Sequence, residues 1–228
     1  MKEQLERDLS LKACRKLVLM TLLAVAFCMF AMQVADLPVA RWLQAHAPKG
    51  SWPYRIAVNI GGFGRGHFYI VPALICAWVW WRRRNLARVR ASLLVTVTWA
   101  ASGVAGLMLK HVFGRCRPSE FFLHGDYGFR WFEADRPHTS FPSGHCTDVF
   151  AQAALMWVMF PGWRPVWAAW ALLMALSRVA SQNHYLSDTI AGAILGVAVA
   201  WCVRQGFVRK GWYAASAARD RQIVNKEG

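Results

Sequence analysis

Six runs of apolar residues, separated by shorter polar segments, dominate the pattern of the chain. The first, Leu17–Ala35, has nineteen residues without a charge, enough for a helix to cross a bilayer core of about 30 Å. The other five are Phe68–Trp81, Ala91–Leu109, Val149–Phe160, Val166–Leu176 and Thr189–Val203. Several runs are short, and we expect the flanks Ser143–Asp148 and Ser177–Gln182 to lengthen their helices. The pattern predicts an all-α fold, a six-transmembrane helix bundle.

Basic residues predict the orientation of these helices. Because consecutive spans alternate in direction, seventeen of the 27 Lys and Arg residues fall on the side of both termini and ten on the other. The positive-inside rule then puts both termini in the cytoplasm. We expect a basic cytoplasmic N-terminus over 1–16, a six-helix membrane domain over 17–204 and a basic cytoplasmic tail over 205–228. The first apolar run is longer than that of a signal peptide, so we expect it to be retained.

Composition narrows the class of protein. The net charge of +15 would suit a nucleic-acid partner, but charged residues make up 17% of the chain against about 25% in ordinary soluble domains. Hydrophobic residues make up 56%, and thirteen Trp and thirteen Phe suit the aromatic belts of a membrane–water interface. We therefore expect an integral membrane protein surrounded by the lipid bilayer, with no nucleic-acid partner. The composition leaves the oligomeric state open.

Polar residues collect at the helix ends on the non-cytoplasmic side. Alternation of the spans brings four helix ends to this face, with Lys110, Arg117, Ser143, Gly144, His145, Arg178, His184 and Asp188. The three cations suit a tetrahedral oxyanion such as phosphate. Ser143 and Gly144 precede a helix, so their N–H groups can cradle the same anion. This face therefore predicts a phosphate site.

Two histidines and one carboxylate complete this face. One histidine can attack phosphorus and the other can protonate the departing oxygen. Asp188, four residues after His184, can hold a ring nitrogen and so fix the tautomer. Taken singly, Ser143 and Asp188 could be ordinary helix caps, and Lys110 could be a helix-end anchor. Arg178 could extend to lipid headgroups. Their convergence on one face favours catalysis.

The residues of this face fall into three motifs. They are Lys110-x6-Arg117-Pro118, Pro142-Ser143-Gly144-His145 and Ser177-Arg178-x5-His184-x3-Asp188. In order and spacing they resemble the signature of the PAP2 superfamily (type 2 phosphatidic acid phosphatases), which includes integral-membrane lipid phosphatases, soluble haloperoxidases and acid phosphatases. The resemblance covers residues 110–188 and implies a phosphatase that needs no metal and no cofactor. We also expect no close cluster of carboxylates on the outer face to hold magnesium.

The resemblance implies a role for each motif residue. His184 is expected to be the nucleophile that forms a phosphohistidine, with Asp188 orienting its ring. His145 is expected to protonate the leaving group and then to activate water. The phosphoryl oxygens would be bound by the remaining motif residues, Lys110, Arg117, Arg178, Ser143 and Gly144. Outside the signature, but within or beside the motifs, lie His111, Arg115, Cys116 and Ser187.

The expected substrate is a membrane lipid phosphate that enters the outer mouth of the bundle from the bilayer. The resemblance implies hydrolysis of a phosphate monoester or diphosphate. We expect lipid A 1-phosphate first among the possible substrates. The second motif reads PSGH, whereas the commoner undecaprenyl diphosphate phosphatases have PSDH, so that substrate is less favoured. Such an enzyme would lie in the bacterial cytoplasmic (inner) membrane, with its active site facing the periplasm or exterior.

Other functions stay open at this point. Undecaprenyl diphosphate, phosphatidylglycerol phosphate and phosphatidic acid are alternative substrates, and a lipid phosphotransferase would pass the phosphoryl group to another lipid. A transporter or channel is disfavoured because the polar residues collect at one end and do not line a path through the bilayer. A haloperoxidase would hold vanadate in a similar pocket, but those relatives are soluble.

Overall fold

The computed structural model describes residues 2–133 and 135–213. In this part of the chain the α-helices are α1 (Lys2–Val34), α2 (Asp36–His46), α3 (Trp52–Gly62), α4 (His67–Arg82), α5 (Leu86–Phe113), α6 (Pro118–His124), α7 (Gly144–Met159), α8 (Arg164–Ala180) and α9 (Leu186–Arg209). Two short 3₁₀ helices are Arg136–His138 and Pro161–Trp163. The described residues form no β-strand, only an isolated antiparallel bridge between Arg115 and Phe129. The predicted all-α class is confirmed.

Each predicted apolar run lies within one helix, with at most one residue of the run beyond the helix end. The six runs form α1, α4, α5, α7, α8 and α9. The polar flanks lengthen two of these helices as expected, because α7 begins at Gly144 and α8 continues to Ala180. Asn85 stabilises the start of α5, where its side chain accepts a hydrogen bond from the backbone N–H of Arg88 at 3.1 Å.

The two connections on the predicted outer side contain helices of their own. The first folds into α2 and α3, and the second contains α6. Pro53 and Pro118 stand in the first turns of α3 and α6, where the missing N–H of proline would have no helical partner anyway. Hydrophobic periodicity did not indicate these elements, because helices of 7 to 11 residues contain too few apolar positions to show it.

Some of these helices are long enough and apolar enough to cross a membrane. Among the described residues, α5 and α9 each meet both conditions, with 28 and 24 residues. The segments Val18–Val34 and Asp36–His46 meet them together, although the chain bends by 54° between them. Helices α4, α7 and α8 have 16, 16 and 17 residues, short of the roughly 20 of a full span. The count of six spans stays a prediction.

The most extensive helix–helix contact in the described part of the chain joins α7 to α9. Gly192 and Gly196, four residues apart in α9, lie directly against the backbone of α7, and small residues at this spacing allow two helices to approach closely. A Cβ on Gly192 would lie 2.6 Å from the carbonyl oxygen of Ser143. The contact brings the two helix starts together, and the Ser143 N–H donates to the Asp188 carbonyl at 3.0 Å. The second and third motifs are thereby joined.

Apolar side chains hold the bundle together and also cover its outside. One buried cluster links α4, α5, α7 and α9 through Ala73, Leu94, Val95, Ala151, Leu155, Ala200 and Phe207. A second cluster joins α7 to α8 through Val149, Ala171 and Met174. On the outer surface of α5, Val104, Leu107 and Met108 are more than half exposed. A lipid environment accommodates such an exposed apolar surface without cost.

The predicted segment boundaries differ from the helix boundaries. Helix α1 begins at Lys2, so residues 2–16 of the predicted N-terminal segment belong to the first helix. Helix α9 continues to Arg209, five residues past the predicted end of the membrane domain at 204. Of the predicted C-terminal tail, residues 214–228 lie outside the described part of the chain.

Candidate active site

The three motifs meet at one end of the bundle. Lys110 lies in the last turn of α5, and His145 lies in the first turn of α7. Arg178 lies in the last turn of α8, and Asp188 is the third residue of α9. Alternation of the helices therefore brings the predicted residues to one face, as the sequence indicated. Asp188 is not the cap of α9, because Tyr185 occupies the cap position and donates its N–H to Asp188 Oδ2 at 2.8 Å.

Two of the predicted cations share one backbone acceptor. Lys110 Nζ donates to the carbonyl oxygen of Thr139 at 2.7 Å, and a terminal nitrogen of Arg117 reaches the same oxygen at 3.3 Å. Arg117 is further held by the carbonyl oxygens of Arg136 and Asn183, at 3.0 and 3.2 Å. Backbone carbonyls thus orient both side chains without neutralising their charge, which leaves them suited to an anion.

Arg178 completes the cation cluster. Its guanidinium packs against Gly61 of α3, where a Cβ would lie 2.6 Å from an arginine nitrogen, so a larger residue at position 61 would require the guanidinium to shift. The buried Nε of Arg178 has no hydrogen-bond partner within the described part of the chain. Arg178 lies close enough to Lys110 and His145 to interact with both electrostatically. The predicted cation triad is therefore assembled around the first turn of α7.

The N-terminus of α7 faces this cluster. Ser143 is buried at the cap position, and Gly144 is the first residue of the helix. A Cβ on Gly144 would lie 3.5 Å from Cε of Lys110, so the start of the helix and the ammonium group are neighbours. The first N–H groups of a helix have no partner within it and carry partial positive charge. Helix start and cations together can hold a multiply charged anion.

His184 is buried, with 4% of its surface exposed, and its tautomer follows from its contacts. Its Nδ1 lies 2.8 Å from the carbonyl oxygen of Ser140 and 3.8 Å from Asp188 Oδ2. A carbonyl oxygen can only accept, so Nδ1 carries the proton and Nε2 keeps its lone pair. Burial lowers the pKa of His184 to about 3, Lys110 and Arg117 act in the same direction, and Asp188 opposes them. The ring is neutral at physiological pH.

The carboxylate of Asp188 accepts hydrogen bonds from neighbouring residues but lies too far from the ring of His184 to accept one from it. Its Oδ2 accepts the hydroxyl of Ser140 at 2.6 Å, and Ser140 in turn presents its carbonyl oxygen to His184. The expected orientation of His184 by Asp188 therefore runs through Ser140, with the carboxylate itself beyond hydrogen-bond distance of the ring. Nothing in the motif spacing pointed to Ser140, because it lies two residues before the second motif and acts through its backbone.

The sequence analysis assigned no role to two further charged residues, Asp36 and Arg115, although Arg115 lies inside the first motif. Arg115 and Asp36 are fully buried, and they pair at 2.6 Å. Arg115 also donates to Asp188 Oδ1 at 2.5 Å, so the pair is attached to a predicted site residue. For Asp36, the available signal was that it directly follows the first apolar run. Because 79 residues separate it from Arg115, no local pattern links the two.

One group of potential metal ligands comes together in the described residues. Carboxylate and imidazole atoms of Glu133, Asp135 and His138 lie within 4.8 Å of one another, and both carboxylates are exposed. The expectation that the outer face has no close carboxylates is thus wrong for this connection, where the 3₁₀ turn Arg136–His138 brings the three side chains together. The group shares no residue with the predicted catalytic set, and metal independence stays a prediction.

Fold and site define an integral membrane protein with a histidine, a carboxylate and several cations at the ends of packed helices. The family model of the PAP2 superfamily matches residues 91–212, more than half of the chain. The chain belongs to the PAP2 superfamily, and the resemblance seen in its motifs is confirmed.

The similar proteins and structures include phosphatases of lipid phosphates. The lipid A 1-phosphatases of Rhizobium etli and Rhizobium johnstonii are each 38% identical over 108 residues, which is 47% of this chain and 46% and 43% of those proteins. The matched region thus spans less than half the length of these relatives.

The transmembrane PAP2 type phosphatidylglycerolphosphate phosphatase from Bacillus subtilis has a TM-score of 0.60 and 22% identity, covering 86% of this chain and 95% of that one. Aquifex aeolicus LpxE has a TM-score of 0.54 and 18% identity, covering 75% and 94%. Both share the fold.

Proposed function

We propose that this protein is a membrane phosphatase that hydrolyses a phosphate ester on a lipid headgroup through a phosphohistidine at His184. The observation that carries the proposal is the buried, neutral imidazole of His184, whose Nδ1–H is bound by the Ser140 carbonyl at 2.8 Å. Nε2 is therefore the nitrogen able to attack phosphorus. Membership of the PAP2 superfamily supports the same chemistry.

The reaction proceeds in two steps. In the first, Nε2 of His184 forms a bond to phosphorus while the bond from phosphorus to the lipid oxygen breaks, and His145 donates a proton to that oxygen. In the second, water attacks the phosphohistidine and His145 accepts its proton, so that inorganic phosphate leaves and both histidines return to their starting states. A lipid phosphotransferase would use the same first step and a lipid hydroxyl in place of water in the second.

Charge compensation supplies much of the rate. Uncatalysed phosphate monoester hydrolysis is so slow that enzymes accelerate it by up to about 10²¹-fold. Lys110, Arg117 and Arg178 neutralise the phosphoryl oxygens, and the N–H groups at the start of α7, with Ser143 and Gly144, complete the cradle. These groups are oriented by backbone carbonyls and helix ends, so little reorganisation is needed during the reaction.

The substrate class proposed first is a lipid A 1-phosphate, in line with the names of the two Rhizobium relatives. A cavity of about 280 Å³ beside Arg117 supports a headgroup that extends beyond one phosphate. Its lining includes Lys49, Tyr54, Arg136 and Asn183, which offer charges and hydrogen bonds to sugar hydroxyls or phosphate oxygens. Phosphatidic acid would leave this cavity unused. Undecaprenyl diphosphate and phosphatidylglycerol phosphate stay alternative substrates.

The proposed membrane arrangement has six spans: α1, α4, α5, α7, α8 and α9. Both termini lie in the cytoplasm, and the site opens at the outer mouth of the bundle, in the inner membrane and toward the periplasm or exterior. The distribution of seventeen basic residues against ten supports this orientation. Exposed apolar side chains on α1, α4, α5 and α8 support contact with lipid along these helices.

Phosphate release in the presence of EDTA tests the proposed reaction. We expect purified protein in detergent to release inorganic phosphate from lipid A 1-phosphate with an unchanged rate when EDTA is added, because all charge compensation comes from side chains and helix N–H groups. The same assay on undecaprenyl diphosphate, phosphatidylglycerol phosphate and phosphatidic acid ranks the substrates. Activity that disappears with EDTA and returns with a divalent cation would contradict the metal-independent mechanism and direct attention to Glu133, Asp135 and His138.

Removal of the two exposed cations of the cavity tests the proposed headgroup contact. Lys49→Ala and Arg136→Ala should each raise KM for lipid A 1-phosphate by about fivefold, the equivalent of about 1 kcal/mol for a solvent-exposed charged contact. KM for phosphatidic acid should stay unchanged. Arg55→Ala is the matched control, since it removes an exposed cation from α3 that does not line the cavity. Equal increases for both lipids would count against the cavity as a headgroup site.

A further inference from the structure

Arg115 sits at the centre of a fully buried network of charges. One terminal nitrogen donates to Asp36 Oδ2 at 2.6 Å, and the other donates to Asp188 Oδ1 at 2.5 Å. The second nitrogen also donates to the hydroxyl of Ser187 at 2.7 Å. The side chains of Arg115, Asp36 and Asp188 have no exposed surface. The guanidinium fork thus joins two carboxylates that come from different ends of the chain.

Asp36 fixes the other side of this network. It is the first residue of α2, immediately after the bend that separates α1 from α2. Its Oδ1 accepts the backbone N–H of Ser187 at 2.9 Å, and its Oδ2 accepts the hydroxyl of the same residue at 2.5 Å. Asp36 therefore binds both Arg115 and the start of α9, which is the helix that carries Asp188.

The network continues from Arg115 to the proposed nucleophile. Asp188 uses Oδ1 for Arg115 and Oδ2 for the hydroxyl of Ser140 at 2.6 Å. The carbonyl oxygen of Arg115 accepts the backbone N–H of Ser140 at 3.0 Å. Ser140 is thus held at its N–H and its hydroxyl, and its carbonyl oxygen accepts Nδ1–H of His184 at 2.8 Å.

Stability alone does not account for such a network. Removing three charges from water is costly, and well-packed apolar residues often stabilise a protein as much as a buried ion pair does. Buried ion pairs are more informative about the geometry that they impose. Burial alone would lower the pKa of Arg115, but the carboxylates of Asp188 and Asp36 outweigh it and raise that pKa, so the cation is permanent.

We infer that Asp36 and Arg115 are positioning residues for the nucleophile: through Asp188 and Ser140 they set the hydrogen bond that holds the ring of His184. This inference rests on the proposed role of His184. With Asp36 present, Arg115 is fixed between the two carboxylates, so Asp188 Oδ2 stays in place for the hydroxyl of Ser140 and the Ser140 carbonyl stays the partner of Nδ1. Without the Asp36 charge, Arg115 and Asp188 can shift together, and the ring loses its orientation toward phosphorus.

The test is Asp36→Asn, which keeps the size and one acceptor oxygen of the side chain but removes its charge. We expect kcat to fall by up to about 10²-fold, as a displacement of roughly 1 Å in reacting groups does, while KM changes by less than a factor of two. KM is spared because neither residue belongs to the proposed phosphate cradle. The control is Asp126→Asn, which removes a partly exposed carboxylate that is paired with Arg130 at 2.8 Å, and it should leave both constants unchanged.

A second variant covers the case in which Asp36→Asn does not fold. Ser187→Ala removes a hydroxyl that contacts both Arg115 and Asp36, yet it leaves every buried charge paired. Size-exclusion chromatography and thermal melting in detergent identify the folded variants, and kcat and KM are then measured on those. A folded variant of Asp36 or Ser187 with wild-type kcat overturns the inference. If the wild-type protein itself releases no phosphate from any lipid, the proposed function fails instead.

Discussion

His184→Ala is expected to abolish phosphate release while the protein stays folded in detergent. The substitution removes Nε2, the atom proposed to bond to phosphorus. His145, the other histidine of the proposed site, is assigned to proton transfer and does not replace it. Loss of a covalent nucleophile typically lowers turnover by on the order of 10⁵- to 10⁶-fold. The structural cost is smaller, since the change leaves the Ser140 carbonyl without its donor, at about 1–3 kcal/mol.

Phosphate release and capture of the phosphoenzyme together check this expectation. Acid-sensitive radiolabel from a ³²P-labelled lipid should remain on wild-type protein after rapid quenching and be missing from His184→Ala. The matched control is His111→Ala, because His111 is exposed in the last turn of α5 and its Nδ1 lies 2.8 Å from the carbonyl oxygen of Leu107 in the same helix. Full activity of His184→Ala would rule out its role as nucleophile.

Gly196→Leu is expected to prevent normal packing of α7 against α9. A Cβ at this position would overlap the carbonyl oxygen of Thr147 and lie 2.9 Å from the backbone nitrogen of Ala151. Both are backbone atoms within α7, so they cannot move aside unless the whole helix shifts. Overpacking of this kind costs about 1–3 kcal/mol and more where the backbone must move. Activity should also fall, because a shift of α7 moves Gly144 and His145 with it.

Thermal melting in detergent measures this effect, with Gly206→Leu as control. Gly206 lies in the same helix, but a Cβ there meets nothing within 4 Å. The control should therefore melt close to the wild-type temperature, while Gly196→Leu melts several degrees lower or is recovered unfolded. Equal melting temperatures for the two variants would show that the glycine contact is not needed for the packing of α7 on α9.

Local sequence patterns were sufficient for much of the fold. Apolar runs identified all six long helices, and alternation of their direction brought the ends of α5, α7, α8 and α9 to one face. This worked because burial and helix formation depend on residues within a few turns of one another. The short helices α2, α3 and α6 were not identified, since helices of 7 to 11 residues contain too few apolar positions to show a period.

The candidate site divides in the same way. Its cations, histidines and carboxylate were identified from three motifs, because each motif lies at the end of one helix. The partners of these residues were not. Ser140 lies 44 residues from His184, and Asp36 lies 151 residues from Ser187. Whether Nδ1 of His184 donates to the Ser140 carbonyl or to the Asp188 carboxylate depends on how these distant segments pack together.

By itself, the sequence determined the class of fold, the residues of the proposed phosphate site and their common face. The tertiary structure alone decided how they are held: the close approach of α9 to α7, the Ser140 carbonyl at His184, and the buried pairing of Asp36 with Arg115. The physical reason is the separation along the chain of the residues that interact. Hydrophobic runs and helix ends are recorded in neighbouring residues, whereas a hydrogen bond between distant segments depends on the packing of the whole bundle.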